Sequence, residues 1–215
     1  MQWTLVIPLK PLARAKSRLA DTAANGLRPS LALAFAQDTV AAALACPVVM
    51  DVAVVTDDEL AAHELSALGA RIVPDTRAGG LNAALAHGAT VVRQDRPGAA
   101  VAALNADLPA LRPPELSRVL TAATEFPRAF VPDAAEVGTT LLAAMPGRDL
   151  RPAFGAGSRA RHRVSGATEL LLADVDSVRQ DVDTGDDLRV ALALGVGPYT
   201  AVVSAGLLMP GPESR

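Results

Sequence analysis

The run Val101 to Leu111, V-A-A-L-N-A-D-L-P-A-L, constrains the fold more than any other stretch. Four small apolar residues lead straight into a polar corner, Asn105-Ala106-Asp107, and Pro109 then forbids further strand pairing. An unbroken apolar run of this length suits a parallel strand buried on both faces. The carboxyl end of such a strand is where open α/β sheets place their ligands, at the switch point of the strand order. Asp107 therefore has two readings. It holds a hard cation against a phosphate, or it caps the turn before Pro109.

The remaining segments repeat the theme. Thr4–Leu9, Asp51–Thr56, Ala70–Asp75, Ala129–Asp133 and Gly138–Ala144 read as strands. Helices are expected over Pro29–Ala45, from Asp57 or Asp58 to Gly69, from Gly79-Gly80 onward, from Pro113-Pro114 to Thr124, and up to Leu194. Strand and helix alternate with short links, so the sheet should be largely parallel. With 215 residues the chain has room for one such domain, expected over residues 1–205, with 206–215 as a C-terminal tail. Only 3% of residues are aromatic, so the core must be aliphatic. No apolar run reaches the roughly eighteen residues that cross a bilayer, and the N-terminus does not resemble a signal peptide. A lone cysteine, Cys46, excludes an internal disulfide and suits a small buried residue. A net charge of −3 gives no pull toward nucleic acid. A cytoplasmic protein with neither nucleic-acid nor membrane partners is expected; its oligomeric state is not legible.

Four segments carry the polar chemistry. After the first strand, Lys10-Pro11-Leu12-Ala13-Arg14-Ala15-Lys16-Ser17-Arg18 places four cations in nine residues, in a chain that is acidic overall. Ammonium and guanidinium groups suit phosphate oxygens, although the loop lacks the glycines of a Walker A sequence; a solvated surface loop is the other reading. Gly79-Gly80-Leu81-Asn82 lets a backbone approach a ligand at a helix start, with Asn82 able to read a base edge or ribose, or else to cap the helix. Gly155-Ala156-Gly157-Ser158 resembles an anion nest, with Arg159, Arg161 and His162 adding positive character. In Asp181-Val182-Asp183 an extended backbone points both carboxylates the same way. Two like charges at ~4 Å repel by about 4 kcal/mol at an effective dielectric of about 20, a penalty a magnesium ion would remove. Thr184, with Asp186 and Asp187, suits the cap of the helix that follows.

The order and spacing of I-P-L-K-P-x-x-x-A-K-S-R-L, G-L-N-A-A-L, N-A-D-L-P-A-L, F-G-x-G-S-x-x-x-H and D-V-D-T-x-x-D-L resemble the CofC/FbiD family of guanylyltransferases in coenzyme F(420) biosynthesis, relatives of the MobA-type nucleotidyltransferases. The resemblance spans nearly the whole chain. The glycine-rich first loop of MobA-type enzymes is replaced by Pro8 to Arg18, as in the CofC branch. It implies a single-domain, Rossmann-like three-layer sandwich with a mostly parallel mixed sheet. It implies transfer of GMP from GTP to phosphoenolpyruvate, or in the archaeal branch to 2-phospho-L-lactate, with release of pyrophosphate. The Ala/Arg-rich composition favours phosphoenolpyruvate. The residues carried over are Asp107, Asp181 and Asp183 on magnesium, and Thr140, Gly155 and Ser158 on the acceptor. Pro8, Lys10, Lys16, Arg18, Gly80 and Asn82 would lie along the nucleotide, with Asp107 and Lys16 as the catalytic pair. A MobA-like transferase with another acceptor, and a non-catalytic nucleotide-binding domain, are the rival readings.

Overall fold

The computed structural model describes residues 1–15, 19, 27–75 and 79–208, with side chains through 205. In chain order the elements are β1 (Trp3–Pro8), a short 3-10 turn (Leu12–Arg14), α1 (Leu27–Leu44), β2 (Val49–Thr56), α2 (Glu59–Ala67), β3 (Arg71–Pro74), α3 (Gly80–Asp95), β4 (Ala100–Leu104) and α4 (Pro113–Ala123). They continue with β5 (Arg128–Pro132), β6 (Thr139–Ala144), α5 (Ser158–Val164), β7 (Thr168–Glu169), α6 (Asp176–Arg179), α7 (Gly185–Leu194) and α8 (Pro198–Leu208). The expected strands are all present, each within two residues of its predicted start. α8, α6 and β7 were not anticipated, and α8 runs three residues into the segment expected as tail.

The sheet order is β3-β2-β1-β4-β6-β5-β7. β1, β2, β3 and β4 are mutually parallel, β6 is antiparallel to both its neighbours, and β7 pairs parallel with β5. This is the mostly parallel mixed sheet that the alternation called for. From β1 the chain steps outward to β2 and β3, then returns to the far side of β1 as β4. The strand order reverses between β1 and β4, so a ligand crevice is expected at their carboxyl ends.

Period-two alternation along β1 builds two aliphatic layers. Trp3, Leu5 and Ile7 join Ala32, Ala36 and Val40 of α1 and Leu116 and Leu120 of α4. Val6 joins Val55, Ala84, Leu85 and Val92 on the side of α3. α3 lies close to the sheet because Gly88 faces it: a Cβ there would sit 2.6 Å from both Val6 and Val55. Cys46 is buried in the first layer, as expected, and burial pushes its thiol pKa up. A third cluster, with Leu31 and Phe35 of α1, Ala110, Val182, and Leu188 and Ala191 of α7, packs separately from these two layers.

Asp38, in the middle of α1, is buried rather than solvated. Its carboxylate accepts the Tyr199 and Thr200 N–H groups (3.1 and 2.8 Å), so it caps the first turn of α8 from a different helix. Burial raises its pKa, against those hydrogen bonds. α7 is capped from within: Thr184 accepts the Asp187 N–H, and Asp187 accepts the Thr184 N–H, a capping box.

Candidate active site

At the reversal between β1 and β4 lies a cavity of ≈ 650 Å³, and three groups of residues on its wall carry the expected site chemistry. The first is the basic loop. Pro8 ends β1, and Lys10, Arg14 and Ala15 follow on the wall. The loop is held by Asp58, whose carboxylate accepts the Leu12 N–H (2.8 Å) while capping α2 through the Ala61 N–H (3.0 Å). Asp58 was expected to cap a helix; its second bond, pinning the loop, has no local sequence signal. Lys16 and Arg18 lie outside the described residues.

The second segment is the acidic edge, where Asn105, Asp181 and Asp183 line the cavity. Val182 is fully buried in the third cluster. That burial pins the segment by its middle residue and leaves the two flanking aspartates on the cavity wall. The Val182 N–H donates to the Asp107 carbonyl (3.0 Å), setting Asp107 alongside the pair, and the Asn105 amide donates to Asp181 (3.4 Å). The turn at Asp107 is braced from below by Thr39 of α1, whose buried hydroxyl accepts the Leu108 N–H (3.0 Å). Its backbone is tied sideways to β6, where the Asn105 N–H donates to the Thr140 carbonyl (2.9 Å).

The third segment is the loop 154–158. Gly155 (φ 114°) and Gly157 (φ 70°) both adopt the left-handed region open to glycine, and Gly155 and Ser158 are on the wall. The nest is less open than the sequence implied. The Ser158 N–H donates to the Gly155 carbonyl (3.0 Å) and the Arg159 N–H to Val137 (3.2 Å), and α5 is only seven residues long. What remains is the Ser158 hydroxyl, buried and without a hydrogen-bond partner among the described residues.

Three expectations change. Asn82 was expected at the nucleoside, but its amide clamps Phe154: Nδ2 donates to the Phe154 carbonyl (3.1 Å) and Oδ1 accepts the Phe154 N–H (2.7 Å). It therefore ties the start of α3 to the third loop. On β6, Thr139 rather than Thr140 is on the wall. Thr140 is fully buried, with its hydroxyl unpartnered among the described residues. The positive character expected after Ser158 is also spent locally. Arg159 pairs with Glu169 (2.7 Å) and Glu136 (3.1 Å), and Arg161 donates to the Ala153 and Ala156 carbonyls. Burial works against the Glu169 carboxylate, but Arg163 and Arg159 together hold its pKa below the ordinary value. His162 is neutral: burial, with Arg128 and Arg161 nearby, lowers its pKa to about 4.

A smaller compartment of ≈ 210 Å³ opens beside the main one and shares Pro8, Lys10, Arg14 and Leu81 with it. Gly80 is on its wall, together with Asp57 and Asp75. One oxygen of Asp75 is buried without a hydrogen-bond partner among the described residues. Sequence reading counted Arg14 among the cations but assigned it no contact; it belongs to both compartments.

Among the described residues no three His, Cys, Asp or Glu side chains cluster into a ready-made metal cage. Magnesium does not require one, since it commonly takes one or two carboxylates and completes its shell with waters and substrate phosphates. The hard oxygen donors of Asp181 and Asp183, on the wall of a cavity that also carries Lys10 and Arg14, fit that mode.

The family model described as guanylyl transferase CofC-like matches residues 3–202. The phosphoenolpyruvate guanylyltransferase of Streptomyces avermitilis is 76% identical over 213 residues, covering 99% of each chain. That of Thermomonospora curvata is 60% identical, covering 100% of this chain and 94% of its own. Among solved structures, one described as a nucleotide-diphospho-sugar transferase from Desulfovibrio desulfuricans aligns with a TM-score of 0.69 at 16% identity, covering 96% of each chain. A nucleotidyl transferase from Methanothermobacter aligns with a TM-score of 0.65 at 22% identity, covering 90% of this chain and 97% of its own. At such identities the solved structures speak for the fold alone, and they agree with the sheet described above. The family model and the curated relatives match nearly from end to end, and the chain belongs to the CofC-like guanylyl transferase family.

Proposed function

We propose that this chain transfers GMP from GTP to the phosphate of phosphoenolpyruvate and releases pyrophosphate, a step toward coenzyme F(420). The observation that carries the reading is one cavity whose wall brings together Lys10 and Arg14, the carboxylates of Asp181 and Asp183, and the unpartnered hydroxyl of Ser158. Relatives named for this activity, at 76% identity, support the choice of acceptor.

In the reaction an ionised oxygen of the acceptor phosphate attacks the α-phosphorus of GTP. The new P–O bond forms as the bond to the β-phosphate oxygen breaks, and the electron pair leaves with pyrophosphate. No general base is needed, because the attacking oxygen carries no proton to remove. The obstacle is repulsion between two polyanions, so catalysis rests on positioning and charge. Lys10 and Arg14, on the wall shared by both compartments, would hold the triphosphate, with Lys16 and Arg18 expected to extend that set. Ser158 would donate its hydroxyl hydrogen to the acceptor's phosphate or carboxylate. Asp181 and Asp183, beside Asp107, would hold magnesium, whose contribution when bound is to neutralise phosphate charge.

The smaller compartment suits the base. Guanine presents an N–H and an amino group side by side, and a carboxylate accepts both at once; adenine presents a lone pair at the first position and is repelled. The unpartnered oxygen of Asp75 supports guanine over adenine or cytosine. No helix among the described residues is long and apolar enough to cross a membrane, and we assign the reaction to the cytoplasm.

The test is product analysis by mass spectrometry, with GTP offered phosphoenolpyruvate and 2-phospho-L-lactate in competition. The expected product is the guanylyl adduct of phosphoenolpyruvate. Preference for 2-phospho-L-lactate would replace the acceptor, and no adduct with either would overturn the activity.

A further inference from the structure

Of the chain's three histidines, only His162 is buried. Its ring packs against Phe130 and Phe154, with centroids 5.7 and 5.0 Å away, so its orientation is fixed. The Ala153 N–H donates to Nε2 (2.9 Å). A backbone N–H can only donate, so Nε2 must carry the lone pair, and a neutral ring then bears its proton on Nδ1. Nδ1 lies 2.9 Å from the Thr139 hydroxyl oxygen. In that bond the ring donates and Thr139 accepts. The hydroxyl's own hydrogen must then point elsewhere. The Thr139 hydroxyl has no second hydrogen-bond partner among the described residues, and Thr139 stands on the cavity wall.

We propose that His162 is a positioning residue: its Nδ1–H fixes the Thr139 hydroxyl as a one-way donor toward an anionic oxygen of the acceptor. The proposal rests on the guanylyl-transfer reading above and adds Thr139 to the residues that hold the acceptor. The same ring anchors the Ala153 N–H, next to the Phe154 that Asn82 clamps, so donor and loop are set together. The charged groups facing the ring are Arg128 from β5 and Arg161 from α5, and both disfavour an imidazolium. The orientation therefore holds across neutral pH.

Two measurements test this. Proton–nitrogen correlation spectra of the imidazole ring, in the unliganded protein, report the tautomer without any turnover. The neutral Nδ1-protonated form is expected from about pH 6 to about pH 8; the Nε2-protonated form or an imidazolium there overturns the proposal. Kinetically, Thr139→Val should raise KM for phosphoenolpyruvate by roughly tenfold to a hundredfold, the range for a hydrogen bond to a charged group. KM for GTP should stay within about twofold, and Thr139→Ser should restore the wild-type value. His162→Phe should raise the same KM, and adding Thr139→Val to it should change nothing further. Additive effects, or a change confined to GTP, would contradict the proposal. The Thr139 pair decides the matter if the His162 variant fails to fold. A wild-type enzyme inert toward both acceptors would instead sink the transfer reading, while the ring tautomer would still judge the hydrogen bond.

Discussion

Replacing His162 by Gln should flatten a pH dependence of stability that the wild-type protein owes to this one ring. In the unfolded chain the imidazole takes up a proton near its ordinary pKa of 6.5; in the fold, burial and the two nearby guanidiniums depress that to about 4. The group's folded pKa is lowered, so below 6.5 the unfolded state binds more protons and gains relative stability as pH falls. The loss continues until the folded ring also protonates, near pH 4. Linkage gives about 2 kcal/mol lost between about pH 7 and about pH 5, and about 3 kcal/mol in full. Urea unfolding followed through Trp3, the single and fully buried tryptophan, reads this directly. Carboxylates titrate over part of the same range, so the quantity to compare is the difference between wild type and His162→Gln at each pH. The variant is expected to be less stable near neutrality and to lose less on acidification. Parallel pH profiles for the two proteins would show that the buried ring does not resist protonation, and the tautomer argument would fall with it.

Asp107→Asn and Asp183→Asn should each lower turnover on the order of a hundredfold or more, with unchanged circular dichroism and urea midpoint; near-normal rates would remove those carboxylates from the chemistry. Asn82→Ala should loosen the Phe154 loop at a cost of about 1–3 kcal/mol, seen as faster hydrogen exchange at Phe154 and a raised KM for the acceptor. A rise in KM for GTP alone would return Asn82 to the nucleoside. Asp75→Asn should narrow the preference for GTP over inosine triphosphate, which lacks the amino group, by about tenfold. An unaltered ratio would place the base elsewhere.

The strands and the strand-end aspartate were legible because their signal is local: an apolar run closed by Asn105, Asp107 and Pro109 can be read without knowing its neighbours. So was the Thr184 cap, which needs only the residue three places on. The missed features depend on partners far away in sequence. Asp38 reads as a solvated charge on α1 until α8, 161 residues later, places its first turn on that carboxylate. α8 itself shows no apolar stripe, because Thr200 and Ser204 are buried while Val202 is exposed, an inversion of the usual pattern. Val182 looks like a spacer between two carboxylates, yet its burial beside α7 turns both of them to the cavity. Asn82 had the donor and acceptor needed for a base, and the fold presents them instead with a backbone amide of matching geometry. The choice between Thr139 and Thr140 was beyond sequence for a related reason. Two adjacent threonines at a strand mouth differ only in the direction each takes, and that is set by the pairing of β6.

The transfer chemistry has a direct isotopic test. With phosphoenolpyruvate carrying heavy oxygen throughout its phosphate, and unlabelled GTP, attack by the acceptor oxygen on the α-phosphorus predicts that all label stays in the guanylyl adduct, including the bridging position. Pyrophosphate should then be unlabelled. Heavy oxygen in the released pyrophosphate, or release of free GMP with the acceptor unchanged, would contradict the assignment of this cavity to guanylyl transfer.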